Sequence, residues 1–276
     1  MNPPDPARLA LNTVTVRERW NLQQAVDGCR RHAIGAITLW RQDYAELGLA
    51  AAVRLLRFSG LEVVGLARGG PYPYADARER EAAIADTRRA IDEAAELQAQ
   101  CLILVVGGIA AGSKDLAASR TMVRDAVGAV LDHARRRGVA LALEPFHPMY
   151  CADRSCVSTL RQANALCEEL GPGLGVAVDV YHVWWDPELE PEIRRAGKAR
   201  LLALHLSDWL VPTTDLALDR GMMGDGVIDI PRIRTAMEAS GFSGFHEVEI
   251  FSARNWWRRD PDEVLEICKE RHRTHC

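Results

Sequence analysis

The stretch VAVDVYHVWWDPE, residues 176–188, begins like a buried strand and ends in polar side chains. Residues 176–178 are typical of the interior of a sheet, yet Asp179 and His182 stand where the apolar run stops. A carboxylate and an imidazole are costly to bury at the tip of a core strand, so a specific reason for them is expected. The kind of sheet that contains this strand decides what that reason is.

Apolar runs rich in Val, Ile and Leu recur eight times along the chain, and each is followed by a segment with helical periodicity. Several of these segments end in glycine just before the next run, as helix C-termini do. This alternation indicates a parallel sheet covered by helices, and eight repeats favour a closed barrel. The predicted strands cover residues 10–16, 35–40, 61–67, 101–108, 139–146, 174–180, 201–208 and 244–251.

An open, doubly wound sheet is the alternative to a barrel, and it would usually carry a glycine-rich turn after its first strand. The segment NTVTVRERW, residues 12–20, contains no glycine at that place. The chain has 276 residues, near the length of about 250 that is common for α/β barrels, and no linker or low-complexity segment interrupts it. The sequence therefore predicts the α/β class, with a single (β/α)8 TIM barrel that forms one domain over residues 1–276.

Composition and charge exclude several classes of function. The formal net charge of −4 provides no basic surface for nucleic acid. The longest apolar run, residues 101–112, is too short to span a bilayer, and the N-terminal segment lacks the pattern of a signal peptide. Seven cysteines without CxxC spacing favour a reducing compartment. We therefore expect a cytoplasmic protein with no membrane or nucleic-acid partner.

Polar residues end four consecutive predicted strands, the fifth to the eighth. In a parallel barrel the C-terminal ends of all strands meet at one rim, which is where chemistry takes place. Each residue alone has an ordinary explanation, such as a salt bridge or a satisfied core histidine, but four strands in succession are harder to explain in that way. Buried carboxylates need a counter-charge, which a divalent cation commonly supplies. The residues are Glu144, Asp179 with His182, His205 with Asp208, and Glu247 with Glu249.

Such an oxygen-rich set, with three carboxylates and one imidazole, predicts one divalent metal ion, Mn²⁺ first and Mg²⁺, Co²⁺ or Zn²⁺ as alternatives. The eighth strand offers two glutamates on the same side, because side chains alternate along a strand with period two. Glu249 is nearer the C-terminal end and is the predicted ligand. Glu247 is then a deeper partner that orients a ligand or pairs with an arginine.

The chain resembles the xylose-isomerase-like TIM-barrel superfamily of sugar phosphate isomerases and epimerases. The matching motifs are specific for the superfamily and not for one reaction, while the rhythm of eight repeats extends the likeness to the whole chain. These motifs are LALEPFHP (141–148), VAVDVYHVWW (176–185), ALHLSD (203–208), DRGMMGDGVID (219–229) and GFSGFHEVEIF (241–251).

The resemblance assigns a role to each residue that matches a family motif. It implies that Glu144 and Glu249 also act as an acid/base pair on opposite faces of the substrate, and that His182 touches a substrate oxygen. Arg220, in an R-x-x-x-G-x-G pattern, would bind a substrate hydroxyl or anionic group. The metal ligands that the resemblance implies are Glu144, Asp179, His205 and Glu249.

Three further residues at the predicted mouth are candidates for substrate binding. Trp40 ends the second strand and Arg68 ends the third, where they could stack on a sugar face and bind its hydroxyls. His147, just past Glu144, either reaches the substrate or braces its loop, and Trp40 has the alternative of packing against helix ends.

These residues predict a divalent-metal-dependent isomerase or epimerase that acts on a keto-sugar or related polyol by proton abstraction next to a metal-bound carbonyl. The alternatives are a metal-dependent lyase (a dehydratase, or β-elimination of an oxidised glycoside) and a binding barrel without turnover. The superfamily's abasic-site endonucleases need histidines for three zinc ions, and this chain has Arg68 after its third strand. The expected partner is a small carbohydrate, and the resemblance implies a homodimer or homotetramer.

Overall fold

The computed structural model describes residues 3–276, so the first two residues of the predicted domain 1–276 lie outside the described part. Eight parallel strands close into a barrel in the order β1, β10, β7, β6, β5, β4, β3, β2. This closure confirms the predicted single (β/α)8 barrel over the doubly wound alternative. The barrel strands are β1 (Leu9–Asn12), β2 (Ala36–Trp40), β3 (Glu62–Gly69), β4 (Cys101–Leu104), β5 (Ala140–Leu143), β6 (Leu174–Asp179), β7 (Leu201–Leu206) and β10 (His246–Val248).

Helices alternate with these strands and cover the outside of the barrel. Most of their starts are capped by short polar side chains; Asn21, for example, forms a reciprocal capping box with Gln24 at the start of the first helix. The helices are α1 (Leu22–Arg31), α2 (Leu49–Ser59), α3 (Ala77–Glu96), α4 (Leu116–Arg137), α5 (Leu160–Leu170), α6 (Val180–Val183), α7 (Leu189–Arg200), α8 (Ile230–Ala239) and α9 (Pro261–His275).

The alternation of side chains along each strand explains where the core and the polar residues lie. Leu141 and Leu143 of β5 face outward and join the large apolar cluster between barrel and helices. Ala142, Ala177 and Ala203 face inward and belong to a separate cluster inside the barrel, which also contains larger side chains such as Ile103. The next inward position, two residues further along each of these strands, is the one that carries a polar side chain.

The structure corrects the ends of several predicted strands. Strand β1 stops at Asn12, and a 3₁₀ helix occupies Thr13–Thr15, where the prediction continued the strand to residue 16. The cause is local, because the Asn12 side chain accepts a hydrogen bond from the Val14 backbone at 3.1 Å and turns the chain. Strand β4 likewise ends at Leu104 rather than at residue 108.

A two-stranded antiparallel sheet, β8 (Asp208–Trp209) with β9 (Arg220–Gly221), follows strand β7 and was not predicted. Asp208 organises this region, since its carboxylate accepts hydrogen bonds from the backbone N–H groups of Gly224, Gly226 and Ile228 at 2.9–3.0 Å. Gly226 must be a glycine, because a Cβ there would lie 2.2 Å from the Trp209 carbonyl oxygen. The loop is therefore held in one conformation, which directs Arg220 back toward the barrel.

The seven cysteines are all free. Within residues 3–276 no helix is both long and apolar enough to cross a bilayer.

A buried pair of histidines lies outside the barrel wall, between β10 and α9. His246 Nδ1 and His272 Nε2 are 2.8 Å apart, with Arg8 and Arg234 nearby and Glu238 3.4 Å from His246 Nε2. Burial and the nearby positive charges lower the pKa of His246 to about 2 and that of His272 to about 4, from an ordinary value of 6.5. Both imidazoles are therefore neutral in the folded protein at neutral pH.

This pair predicts a loss of stability in mild acid. Below pH 6.5 the histidines of the unfolded chain bind protons that those of the folded protein do not. The contribution of the neutral pair to the free energy of unfolding is therefore fully present above pH 6.5. It should fall by up to about 1.4 kcal/mol per pH unit for each histidine as the pH approaches 4. Urea unfolding of the wild type and of His272→Gln checks this, because the variant should show a shallower slope. Equal slopes would contradict the prediction.

Candidate metal centre and active-site cavity

The structure brings together the four residues that the resemblance implies as metal ligands. One ligand atom from each of Glu144, Asp179, His205 and Glu249 lies within 4.8 Å of the other three. Their exposed fractions are 4%, 0%, 1% and 6% respectively, so water does not separate their charges. They follow or end strands β5, β6, β7 and β10, whose register pairs Asp179 with His205 and His205 with Glu247.

His205 lies at the centre of this cluster. Its Nδ1 is 3.2 Å from Glu144 Oε1 and 3.8 Å from Glu249 Oε2. Its Nε2 lies 3.6 Å from Glu247 Oε1 and has no hydrogen-bond partner among the described residues. The imidazole thus has carboxylate oxygens around it on both sides, and one of its ring nitrogens is unsatisfied.

Arg220 supplies a positive charge to the same cluster. Its Nη1 donates to Asp179 Oδ2 at 2.9 Å and to Glu249 Oε2 at 3.0 Å. The guanidinium is 4.5 Å from the centre of the Tyr181 ring and 4.9 Å from that of Phe251, so aromatic faces fix its position. Arg220 is therefore a buried partner of two of the candidate ligands.

The electrostatics show how the cluster balances its charges when only protein groups surround it. Burial raises the pKa of Glu144 and raises that of Glu249 to about 8. Burial acts in the same direction on Asp179, but the charge of Arg220 prevails and lowers its pKa. Burial disfavours a proton on His205, yet the surrounding glutamates raise its pKa well above 6.5. Protons on imidazole and carboxyl groups thus take the place that a cation would fill.

The donor set fits a divalent cation. Three carboxylates and an imidazole are ligands of Mn²⁺, Mg²⁺, Co²⁺ and Zn²⁺, and within residues 3–276 no cysteine belongs to the cluster. The buried negative charge exceeds what Arg220 alone neutralises, which is the physical reason for a cation here. The ring nitrogen of His205 that faces Glu144 and Glu249 is Nδ1, at 3.2 Å and 3.8 Å, so Nδ1 is the atom that would complete the ligand set.

Glu247 and Asn12 lie behind the cluster. Glu247 takes no part in the group of four, and its carboxylate accepts from Asn12 Nδ2 and from Thr38 Oγ1, each at 2.7 Å. Asn12 Nδ2 also lies 3.1 Å from Glu249 Oε1, while its Oδ1 accepts from Trp40 Nε1 at 2.9 Å. Asn12, which the sequence analysis did not single out, therefore links the two glutamates and orients Glu249.

His182 is placed between the cluster and the cavity. Its ring stacks on Phe146 with centroids 4.0 Å apart, and burial lowers its pKa to about 3. Arg220 Nη2 lies 3.2 Å from His182 Nε2 and can only donate, so Nε2 accepts and Nδ1 carries the proton. That Nδ1–H has no partner among the described residues, which leaves it available to a substrate oxygen.

A cavity of about 560 Å³ opens above the cluster at the C-terminal ends of the strands. Its size is within the range of small-molecule sites. Several wall residues were not identified from the sequence, namely Asn12, Arg17, Phe146, Tyr150, Arg154 and Phe251. The predicted site residues that line it are Glu144, His182, His205, Arg220, Glu249, Trp40 and Arg68.

His147 is the predicted substrate-binding residue that the structure places elsewhere. It does not belong to the cavity wall, and its ring packs on Trp209 and Trp185 with centroids 4.9 Å and 5.7 Å away. Its Nδ1 accepts from the Met149 backbone at 3.2 Å and caps a short 3₁₀ helix. This position favours the alternative that His147 braces its loop.

A closed (β/α)8 barrel with buried carboxylates and an imidazole at its C-terminal rim defines a class of protein, and sequence comparison gives its family. The family model described as xylose isomerase-like TIM barrel matches residues 26–270, and the chain belongs to this family. The resemblance predicted from the motifs is thereby confirmed.

Individual proteins, known from solved structures or curated sequences, are also similar to this chain. Protein SMc04130 from Sinorhizobium meliloti 1021 is 57% identical, with a TM-score of 0.97 over 99% of each chain. IOLI protein, solved with a binding zinc atom, is 18% identical with a TM-score of 0.83 over 96% of each chain, which shows the fold alone. L-ribulose-5-phosphate 3-epimerase UlaE from Salmonella typhi is 26% identical over 135 residues, which span 49% of this chain and 44% of that protein.

Proposed function

We propose that the protein is a divalent-metal-dependent isomerase or epimerase of a keto-sugar or related polyol. The observation that carries this proposal is the buried set of four ligand atoms, within 4.8 Å of one another, at the inner end of the cavity. The curated relative is named as a sugar-phosphate epimerase, and IOLI protein, which has the same fold, was solved with a zinc atom; these two findings support the proposed reaction and the proposed metal respectively. Mn²⁺ is the first candidate ion because most of the donors are carboxylate oxygens.

Glu144, Asp179, His205 and Glu249 would hold the ion. When bound, it would polarise a substrate carbonyl as a Lewis acid and stabilise the negative charge that develops when the adjacent carbon loses its proton. A cation held there would take the place of the protons that balance the cluster, which would leave Glu249, whose pKa burial raises to about 8, as a carboxylate.

The chain's own residues would then move the proton and orient the sugar. One of Glu144 and Glu249 removes the proton from carbon, and the same or the other glutamate returns it, so that no net proton is gained or lost. Return to the opposite face gives the epimer, and return to the neighbouring carbon gives the aldose–ketose isomer. The unpaired Nδ1–H of His182 would donate to a substrate oxygen, and the indole of Trp40 would cover one sugar face.

Deuterium incorporation tests this function. Protein stripped with EDTA and reconstituted with Mn²⁺, Mg²⁺, Co²⁺ or Zn²⁺ is incubated with a panel of keto-sugars in D₂O, and recovered sugars are analysed by NMR. We expect the hydrogen next to the carbonyl to exchange only with metal-loaded protein. A product lighter by water or by an aglycone would identify a lyase, which no specific feature of the structure favours. Tight sugar binding without exchange would contradict catalysis.

The homodimer or homotetramer that the resemblance implies stays a prediction, as does a single domain that extends over the whole chain.

A further inference from the structure

The cavity carries opposite charges at its two ends. Glu144 and Glu249 lie at the inner end with the candidate metal ligands. Further out, the wall contains three arginines and one carboxylate; the arginines are Arg17, Arg68 and Arg154, and the carboxylate is Asp153. A neutral sugar would need no such excess of positive charge at the outer end.

Two of these arginines have no protein counter-ion. Among the described residues, no carboxylate lies within 4.0 Å of the guanidinium of Arg68 or Arg154, and neither guanidinium makes a hydrogen bond. Other arginines near the barrel are paired, as Arg41 is with Asp86 and Glu93 at 2.7–2.8 Å. Arg68 and Arg154 thus line the cavity without a direct ion pair, while the charge of Glu144 acts on Arg68 from beyond 4.0 Å.

Arg17 differs from these two, because the protein already holds it. Its guanidinium lies 5.1–5.8 Å from the ring centres of Trp40, Phe251 and Trp257, and Glu18 is 4.0 Å away. Aromatic faces of this kind compensate for part of the water that the cation loses. Arg17 is thus a structural element of the wall, while Arg68 and Arg154 remain available to a ligand.

The two available guanidiniums lie close enough to affect each other. Burial, followed by the positive charge of Arg154, lowers the pKa of Arg68. Arg154 lies over the Tyr150 ring at 5.5 Å, and this ring is itself part of the cavity wall. Both guanidiniums belong to the wall of one cavity, where two like charges repel each other unless an anion binds near them, and the planar fork of arginine suits phosphate or carboxylate oxygens.

We propose that Arg68 and Arg154 form an anion-binding subsite, and that the substrate is a keto-sugar with a phosphate or carboxylate at the end of its chain remote from the reacting carbonyl. The carbonyl end would lie at the acidic cluster and the anionic end between the two guanidiniums. The sugar part of this substrate rests on the proposed function. The anion-binding subsite rests only on the unpaired guanidiniums of Arg68 and Arg154 and on their position in the cavity wall.

Three sugars that differ only at carbon 6 test the subsite, namely D-fructose, D-fructose 6-phosphate and D-fructuronate. Their dissociation constants are measured by calorimetry, with Mn²⁺ and again in EDTA. We expect at least one of the two anionic sugars to bind about tenfold or more tightly than fructose under both conditions, as expected for a charge-assisted contact. The anion with the larger gain shows whether the subsite takes phosphate or carboxylate.

Variants connect this preference to the two residues. Arg68→Gln and Arg154→Gln should each reduce the preference to within about threefold of unity, while Arg68→Lys should retain part of it. Arg154 is exposed on a loop, so its variant tests the subsite even where the half-buried Arg68 is needed for folding. Arg57→Gln, an exposed arginine at the opposite end of the barrel, is the matched control and should leave the preference unchanged.

Equal affinity for the three sugars, or a preference that persists in both glutamine variants, would overturn the proposed subsite. Its failure is separate from that of the proposed function. Deuterium exchange into fructose without any preference for anions would overturn the subsite and leave the function in place. A preference for anions in EDTA without deuterium exchange in any sugar would support the subsite and contradict the function.

Discussion

Glu249→Gln is expected to lose its bound divalent ion and to slow deuterium exchange by at least about 10³-fold, because in the proposed function one side chain would serve both metal binding and proton transfer. The substitution replaces a carboxylate by a neutral amide in a cluster whose ligand atoms lie within 4.8 Å of one another. Elemental analysis of the purified variant and NMR in D₂O provide the two measurements.

Glu247→Gln is the matched control for this prediction. The two glutamates face the same side of one strand, but Glu247 is bound to Asn12 and Thr38 and does not belong to the cluster. We expect the control to retain its metal. If Glu247→Gln loses the metal and Glu249→Gln keeps it, then Glu247 is the metal ligand and Glu249 is not.

Arg220→Met is expected to reduce the free energy of unfolding in EDTA by about 3–5 kcal/mol, because it leaves the buried Asp179 carboxylate without its cation and removes a hydrogen-bond donor from Glu249. Arg220 Nη1 contacts Asp179 at 2.9 Å and Glu249 at 3.0 Å, and both side chains are almost inaccessible to water. Mn²⁺ at a hundredfold excess over the variant's dissociation constant should raise the variant's free energy of unfolding by about 2.7 kcal/mol. Urea unfolding with and without Mn²⁺ measures both effects.

Arg17→Met provides the comparison for that result. Arg17 lines the same cavity, but its nearest carboxylate is Glu18 at 4.0 Å and its other contacts are aromatic faces. Its loss should cost about 1 kcal/mol and should not depend on Mn²⁺. If the two variants lose equal stability in EDTA, the ion pairs of Arg220 do not stabilise the cluster as described.

Much of the fold could be predicted because barrel strands are buried on one face by helices and on the other by the barrel interior. Their apolar runs are therefore nearly continuous, as in residues 101–106, and they stand out from the helical segments. The ends of the strands could not be predicted in the same way. A single side-chain hydrogen bond at Asn12 ends β1, and periodicity contains no information about such a bond.

The inner end of the site could be predicted since strand alternation controls it. Glu144, Asp179, His205 and Glu249 follow or end consecutive strands, and closure of the barrel brings such positions together. Asn12 was missed because the predicted first strand covers residues 10–16 and places it in the strand interior, whereas the strand ends at Asn12. Its place beside Glu249 follows from β1 pairing with β10, which closes the barrel.

The outer end of the site could be predicted only in part, because loops determine most of it. Arg68 lies at the end of a strand and is a candidate from the sequence. Arg154 lies in the loop after β5, and its approach to the cavity depends on contacts distant in sequence, such as Gly107 donating to the Arg154 carbonyl at 2.9 Å. His147 shows the same limit in reverse. It follows a site residue closely in sequence, but the 3₁₀ turn that it caps directs its ring toward Trp209 instead.

A crystal of the wild-type protein soaked in Mn²⁺, with anomalous scattering recorded at the manganese edge, tests whether these four side chains bind one divalent ion. One strong anomalous peak is expected within ligand distance of Glu144, Asp179, His205 and Glu249. A fully soaked crystal with no peak there, or with its strongest peak elsewhere, would contradict this expectation.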